Sequence, residues 1–149
     1  MRDGFVKVAA VTPDIRVADV AYNTQNICKM IDETVAKGAK VIVFPELCVT
    51  GYTCSDLFTH DILLKESKEA LFKIAEYTKE KDAIIFIGVP LAIDGELYNV
   101  AVALNHGEIL MKCGSSVRDR IRRDGSHWME SRSRSDHSFY SWQIRWKNW

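Results

Sequence analysis

An α/β fold on a mixed sheet is predicted by three features of this sequence. Nearly unbroken apolar runs rich in β-branched residues recur at 5–12, 41–44, 83–90 and 97–104, the mark of strands. Between the first three runs lie segments with apolar residues three or four apart, the spacing of a helix face. Gly, Pro and Asx residues punctuate the joins.

FVKVAAVT (5–12) reads as the first strand, closed by Pro13. Residues 19–37 carry Ile27, Met30 or Ile31, and Val35 on one face. Gly38 is well placed to stop that helix. VIVF (41–44) follows as a strand buried on both faces, ended by Pro45, which has no N–H to give a ladder. Strand, helix and strand in this span make a βαβ-like unit with parallel strands. Residues 56–82 supply a second amphipathic helix with Leu64, Leu71, Ile74 and Ala75 on its buried face. AIIFIGVP (83–90) is another near-continuous buried strand. Asp94-Gly95 signals a hairpin into LYNVAVAL (97–104), and Asn105-His106-Gly107 turns into GEILMK. A parallel unit that passes into a meander predicts a mixed sheet with helix cover.

Composition is globular, with 47% apolar and 27% charged residues and a net charge of zero. That neutrality names no polyanionic partner. No run is apolar and long enough to span a bilayer and no signal-peptide pattern opens the chain, so a cytoplasmic protein is expected. Cys28, Cys48, Cys54 and Cys113 lack CxxC spacing. Neither zinc nor a disulfide framework is therefore expected.

The neutral total conceals a seam. Residues 1–112 contain ten Lys and two Arg and carry a net charge of −4. Residues 113–149 contain seven Arg, one Lys, eight Ser and all four Trp, with a net charge of +4. This tail has no Leu or Ala and only three aliphatic residues, Val117, Ile121 and Ile144. Residues 1–112 are read as one unit, and 113–149 as an irregular Arg/Ser/Trp-rich tail. A shifted reading frame or aberrant junction after about residue 112 would produce such a change.

One residue in VIVFPELCVTGYT (41–53) is out of keeping with its neighbours. Glu46 is delivered by a core strand at its carboxyl end, where α/β sheets usually form their sites. Phe44, Leu47 and Val49 beside it predict partial desolvation, which tunes a carboxyl for proton transfer. The plainer reading is an exposed loop Glu, or one paired with a Lys.

FPELCVTGY resembles the first active-site motif of the nitrilase, or carbon–nitrogen hydrolase, superfamily. The longer FPELCVTGYTCSDLF looks most like the glutaminase domain of glutamine-dependent NAD⁺ synthetases. VKVAAVTP, GAKVIVFPE, IFIGVP and LYNVAVAL followed by GEIL agree in order, so the resemblance covers residues 4–110. It implies part of a four-layer α-β-β-α sandwich and a Glu–Lys–Cys triad that hydrolyses amides. Glu46 matches the glutamate, with the implied role of general base towards the thiol. Tyr52 matches a tyrosine lining the glutamine pocket, its alternative being a half-buried turn residue. Asn99 matches an asparagine read as structural, and Thr50 and Gly51 are read as shaping the turn.

The pattern breaks after Leu110. The family lysine is expected about five residues on, where Ser115 stands. Lys112 lies two residues on, and a three-residue shift reverses the face of a strand. Cys113 has neither the position nor the neighbours of the family nucleophile. Cys48, near Glu46, is read as a small buried thiol, with an improvised Glu–Cys pair as the alternative. The chain alone is thus expected to be inactive. The resemblance implies glutamine as substrate and no cofactor for this part. ATP and Mg²⁺ would serve a separate synthetase domain, and no Gly-rich phosphate loop occurs here. Homo-oligomer assembly and a binding-only role through family interfaces stay open, as does another amide substrate. The SRSRS stretch (131–135) beside aromatic residues suggests stacking on single-stranded RNA. Its dilution by Asp119, Asp124, Glu130 and Asp136 argues against nucleic acid as a partner.

Overall fold

The computed structural model describes residues 4–93 and 95–116, without the side chains of 111–113, 115 and 116. The expected tail therefore lies, from residue 117, outside the described residues. Strand β1 (Val8–Ala10), helix α1 (Val20–Ala36) and strand β2 (Val41–Val43) form the first unit. A 3₁₀ turn (Ser55–Thr59) precedes α2 (Asp61–Tyr77). Strands β3 (Ile84–Ile93), β4 (Glu96–Asn105) and β5 (Glu108–Ser116) complete the order. The sheet runs β1-β2-β3-β4-β5. β1, β2 and β3 are parallel, and β3, β4 and β5 antiparallel, which is the mixed sheet expected.

The helices cover one face. Ile85, Ile87, Val89 and Leu91 of β3 and Val100, Val102 and Leu104 of β4 are buried in one core with Ile27 and Ile31 of α1 and Leu71 and Ile74 of α2. Burying these branched side chains is the main stabilising term, at about 25 cal/mol per Å² of apolar surface. Side chains of the alternate positions point the other way. There Val8 is 68%, Val43 45% and Ile84 37% exposed. One helix layer and one sheet are thus described, which is the partial sandwich expected. VIVF and AIIFIGVP were expected to be buried on both faces. Val43 and Ile84 lie open on the second face, with no described helix or strand over them, whereas Gly88 and Pro90, at alternate positions of β3, are buried.

Smaller differences have local causes. β1 is shorter than 5–12 because β2 offers it only three partners. The ladder still extends a residue each way, through Lys40 N to Lys7 O (2.8 Å) and Val11 N to Val43 O (2.9 Å). α2 buries Leu63 in place of Leu64, since its phase is set by a start at Asp61. Asp19 caps α1, accepting from Tyr22 N at 3.0 Å. β5 continues across the compositional seam to Ser116. No helix among the described residues is long and apolar enough to cross a membrane.

Candidate active site

The site begins where β2 leaves the sheet. Phe44 N donates to Phe86 O of β3 at 2.9 Å, and Val49 N rejoins β3 at Gly88 O at 3.4 Å. Between these two bonds the chain spends five residues where β3 spends two. The surplus loops out as Pro45-Glu46-Leu47. Leu47 adopts φ +50° and Gly51 φ +89°. Thr50 N and Gly51 N both donate to Leu47 O, at 3.1 and 2.8 Å. Thr50 is buried and turns its hydroxyl to Leu47 O and Gly51 O. Thr50 and Gly51 thus shape the turn, as expected.

Gly88 makes the excursion sterically feasible. A Cβ there would stand 2.4 Å from Leu47 N and 2.7 Å from both Glu46 Cα and Pro45 O. Glycine inside a strand often marks such a close backbone approach. Glu46 is therefore carried over the β3–β4 pair on the face away from the helices. Asn99 of β4, paired with Pro90, donates from Nδ2 to Glu46 Oε1. Sequence reading took Asn99 as structural; its contact with the acid was legible only as a polar residue within a strand. On the far side of β4 the backbone pairs Asn99 with Ser115, whereas Lys112 pairs with Val102. The register thus separates position 112 from the Asn99 row.

Glu46 is exposed, so the partial desolvation expected from its apolar neighbours is absent. The left-handed turn at Leu47 leaves Glu46 outside while the apolar side chains around it turn inward. Phe44, Leu47, Cys48 and Val49 enter the core and Glu46 stays out. Tyr52 is 58% exposed and has no hydrogen bond to Glu46 among the described residues.

A second anchor escaped the sequence reading. Asn23 of α1 is fully buried. Its Nδ2 donates to Arg16 O (2.8 Å) and Val49 O (3.0 Å), and its Oδ1 accepts from Arg16 N (2.8 Å). One amide thereby ties the segment after β1 to the turn bearing Glu46. No apolar pattern signals a polar residue of this kind.

Burial holds the described thiols in the protonated form. Cys48 is buried, donates to Gly88 O at 3.5 Å, and is pushed up to about 11 by burial. Burial also raises Cys54, which donates to Thr50 O at 3.1 Å. Burial and the neighbouring Asp32 push Cys28 to about 11. Such thiols are poor nucleophiles. A thiol raised from 9.0 to about 11 by the fold leaves stability intact below pH 9 and weakens it as pH climbs through 11. For Cys48 the loss is about 3 kcal/mol. Thermal melts should therefore fall steeply between pH 9 and 11, and Cys48→Ala should flatten that fall. No group of three or more His, Cys, Asp and Glu among the described residues is arranged to hold a metal ion.

Residues 7–139 match the carbon–nitrogen hydrolase family, so the match crosses the seam at 112. The glutamine-dependent NAD⁺ synthetase of Mycobacterium tuberculosis (strain H37Rv) is 33% identical over 107 residues, 72% of this chain and 16% of that protein. The Aquifex aeolicus protein of the same name is 37% identical over 94 residues, 63% of this chain and 16% of that protein. Among solved structures, the synthetase of that name from Cytophaga hutchinsonii superposes with a TM-score of 0.69 at 27% identity, over 74% of this chain and 19% of its own. An amidase from Nesterenkonia sp. superposes with a TM-score of 0.66 at 18% identity, over 77% and 44%, a likeness of fold alone. This chain spans about a sixth of the length of the curated relatives it matches, 16% in both. With motif, sheet and sequence in agreement, the chain belongs to the carbon–nitrogen hydrolase family.

Proposed function

We propose that this chain is part of a glutamine-hydrolysing unit of the kind that supplies ammonia for NAD⁺ synthesis, with Glu46 as its general base. The observation that carries the reading is the exposed carboxylate looped over Gly88 at the carboxyl end of β2. In this role Glu46 takes a proton from a cysteine thiol as the thiolate attacks the glutamine amide carbon. The acid then returns the proton to the departing ammonia. Finally it draws a proton from the water that opens the thioester. Tyr52 forms part of the glutamine pocket. ATP and Mg²⁺ belong to a synthetase domain that uses the ammonia to amidate deaminated NAD.

The chain alone is proposed to be inactive, in keeping with a cytoplasmic fragment whose triad is incomplete. Ser115 stands in the register where the family lysine is expected, and Cys28, Cys48 and Cys54 are raised thiols. The test is a chimera in which residues 7–110 replace the matching segment of the Aquifex aeolicus synthetase. It should form NAD from glutamine, and Glu46→Gln should abolish that while sparing formation from free ammonia. A chimera active with ammonia but not glutamine, before any substitution, would exclude the reading. Ammonia release by the isolated chain, lost in Cys48→Ala, would instead establish the improvised pair.

A further inference from the structure

We infer that Asn99 is a positioning residue for Glu46, sorting the two carboxylate oxygens so that one is held and the other is left for the proton. The inference rests on the general-base reading of Glu46 for its meaning, and on geometry for its content. Asn99 Nδ2 donates to Oε1, and Oε2 has no hydrogen-bond partner among the described residues. An exposed glutamate on a looped-out turn otherwise samples several rotamers, and fixing it costs side-chain entropy. Asn99 is itself well placed to fix it.

Three features fix the backbone that carries the Asn99 amide. It stands mid-strand, and the nine-residue register of β3 with β4 fixes its backbone opposite Pro90. On its other side, the backbone pairs it with Ser115. At the adjoining position of β5, Gly114 approaches so closely that a Cβ would lie 2.6 Å from Asn99 O. Gly88 meanwhile brings the Glu46 backbone down onto the same face. The amide and the acid are thus supplied by two rigid strands and one tight turn.

The test uses the full chain and needs no turnover, so it can fail or succeed apart from the glutaminase reading. Carbodiimide labelling of Glu46, read by peptide mass spectrometry, should be faster in Asn99→Leu by roughly threefold to tenfold, the effect of losing one water-competed hydrogen bond to a charged group. Asn99→Gln, which keeps the amide, should fall between the two. In ¹⁵N-edited spectra, the Asn99 side-chain amide protons should shift between wild type and Glu46→Gln. Thermal melts of each variant establish that it is folded. Unchanged labelling in folded Asn99→Leu, or Asn99 amide signals insensitive to Glu46→Gln, would overturn the assignment.

Discussion

Gly88→Ala is expected to cost about 3 kcal/mol or more, although it adds a single methyl group to a strand. The added carbon would sit 2.4 Å from Leu47 N and 2.7 Å from Glu46 Cα and Pro45 O. All three are backbone atoms, so no rotamer change relieves the clash. β3 has little room to yield, being bonded to β2 on one side and β4 on the other. The turn must lift, and that breaks the bonds of Val49 N and Cys48 Sγ to Gly88 O. Gly95→Ala is the control: its φ is +79° and nothing lies within 4 Å of the new carbon. That variant meets only the backbone strain, about 1 kcal/mol. Thermal melting should therefore place Gly88→Ala roughly 10 °C or more below wild type and Gly95→Ala only a few degrees below. Similar melting of the two variants would mean that the approach at Gly88 is not tight.

Order and type of element were legible because they depend on local period. Glycine at 95 and His106-Gly107 mark turns whose positive φ values (79°, 47° and 85°) the structure contains. Which strand faces are covered depends on what packs against them, and the residues themselves do not record it. Val43 and Ile85 have the same apolar character, yet one lies on the open face and the other in the core. The site shows the same division. FPELCVTGY points to Glu46, but the apolar residues beside it in sequence are not beside its carboxylate in space. A single left-handed residue, Leu47 at φ +50°, separates the acid from the apolar side chains around it. Gly88 and Asn99 were visible as a glycine and an amide inside strands, each out of pattern for a reason found 41 to 53 residues away. Long-range partners of that kind leave no periodic trace.

Asn23→Leu should be the most damaging substitution outside the sheet. Leucine shares the branched outline of asparagine but is the larger side chain, so some overpacking adds to the loss. What is lost is the pairing of three backbone groups: Arg16 N, Arg16 O and Val49 O. A buried polar group left without a partner costs about 1–3 kcal/mol. Three such groups in one network are not additive, and a total of about 3 kcal/mol or more is expected. Asn26 supplies the comparison. It lies one turn along the same helix, is half-buried, and makes an exposed hydrogen bond to Asp14 O at 3.0 Å. Water can replace that bond, so Asn26→Leu should cost less than about 1 kcal/mol. Urea denaturation should separate the two by midpoint, with similar slopes. The effect should also reach the site. Val49 closes the turn that lifts Glu46, and Ala18 N donates to the adjoining Thr50 O at 2.8 Å. Carbodiimide labelling of Glu46 should therefore change in Asn23→Leu under conditions where it remains folded, and stay at the wild-type rate in Asn26→Leu. Equal midpoints for the two variants would mean that the buried amide is not what ties α1 to the turn.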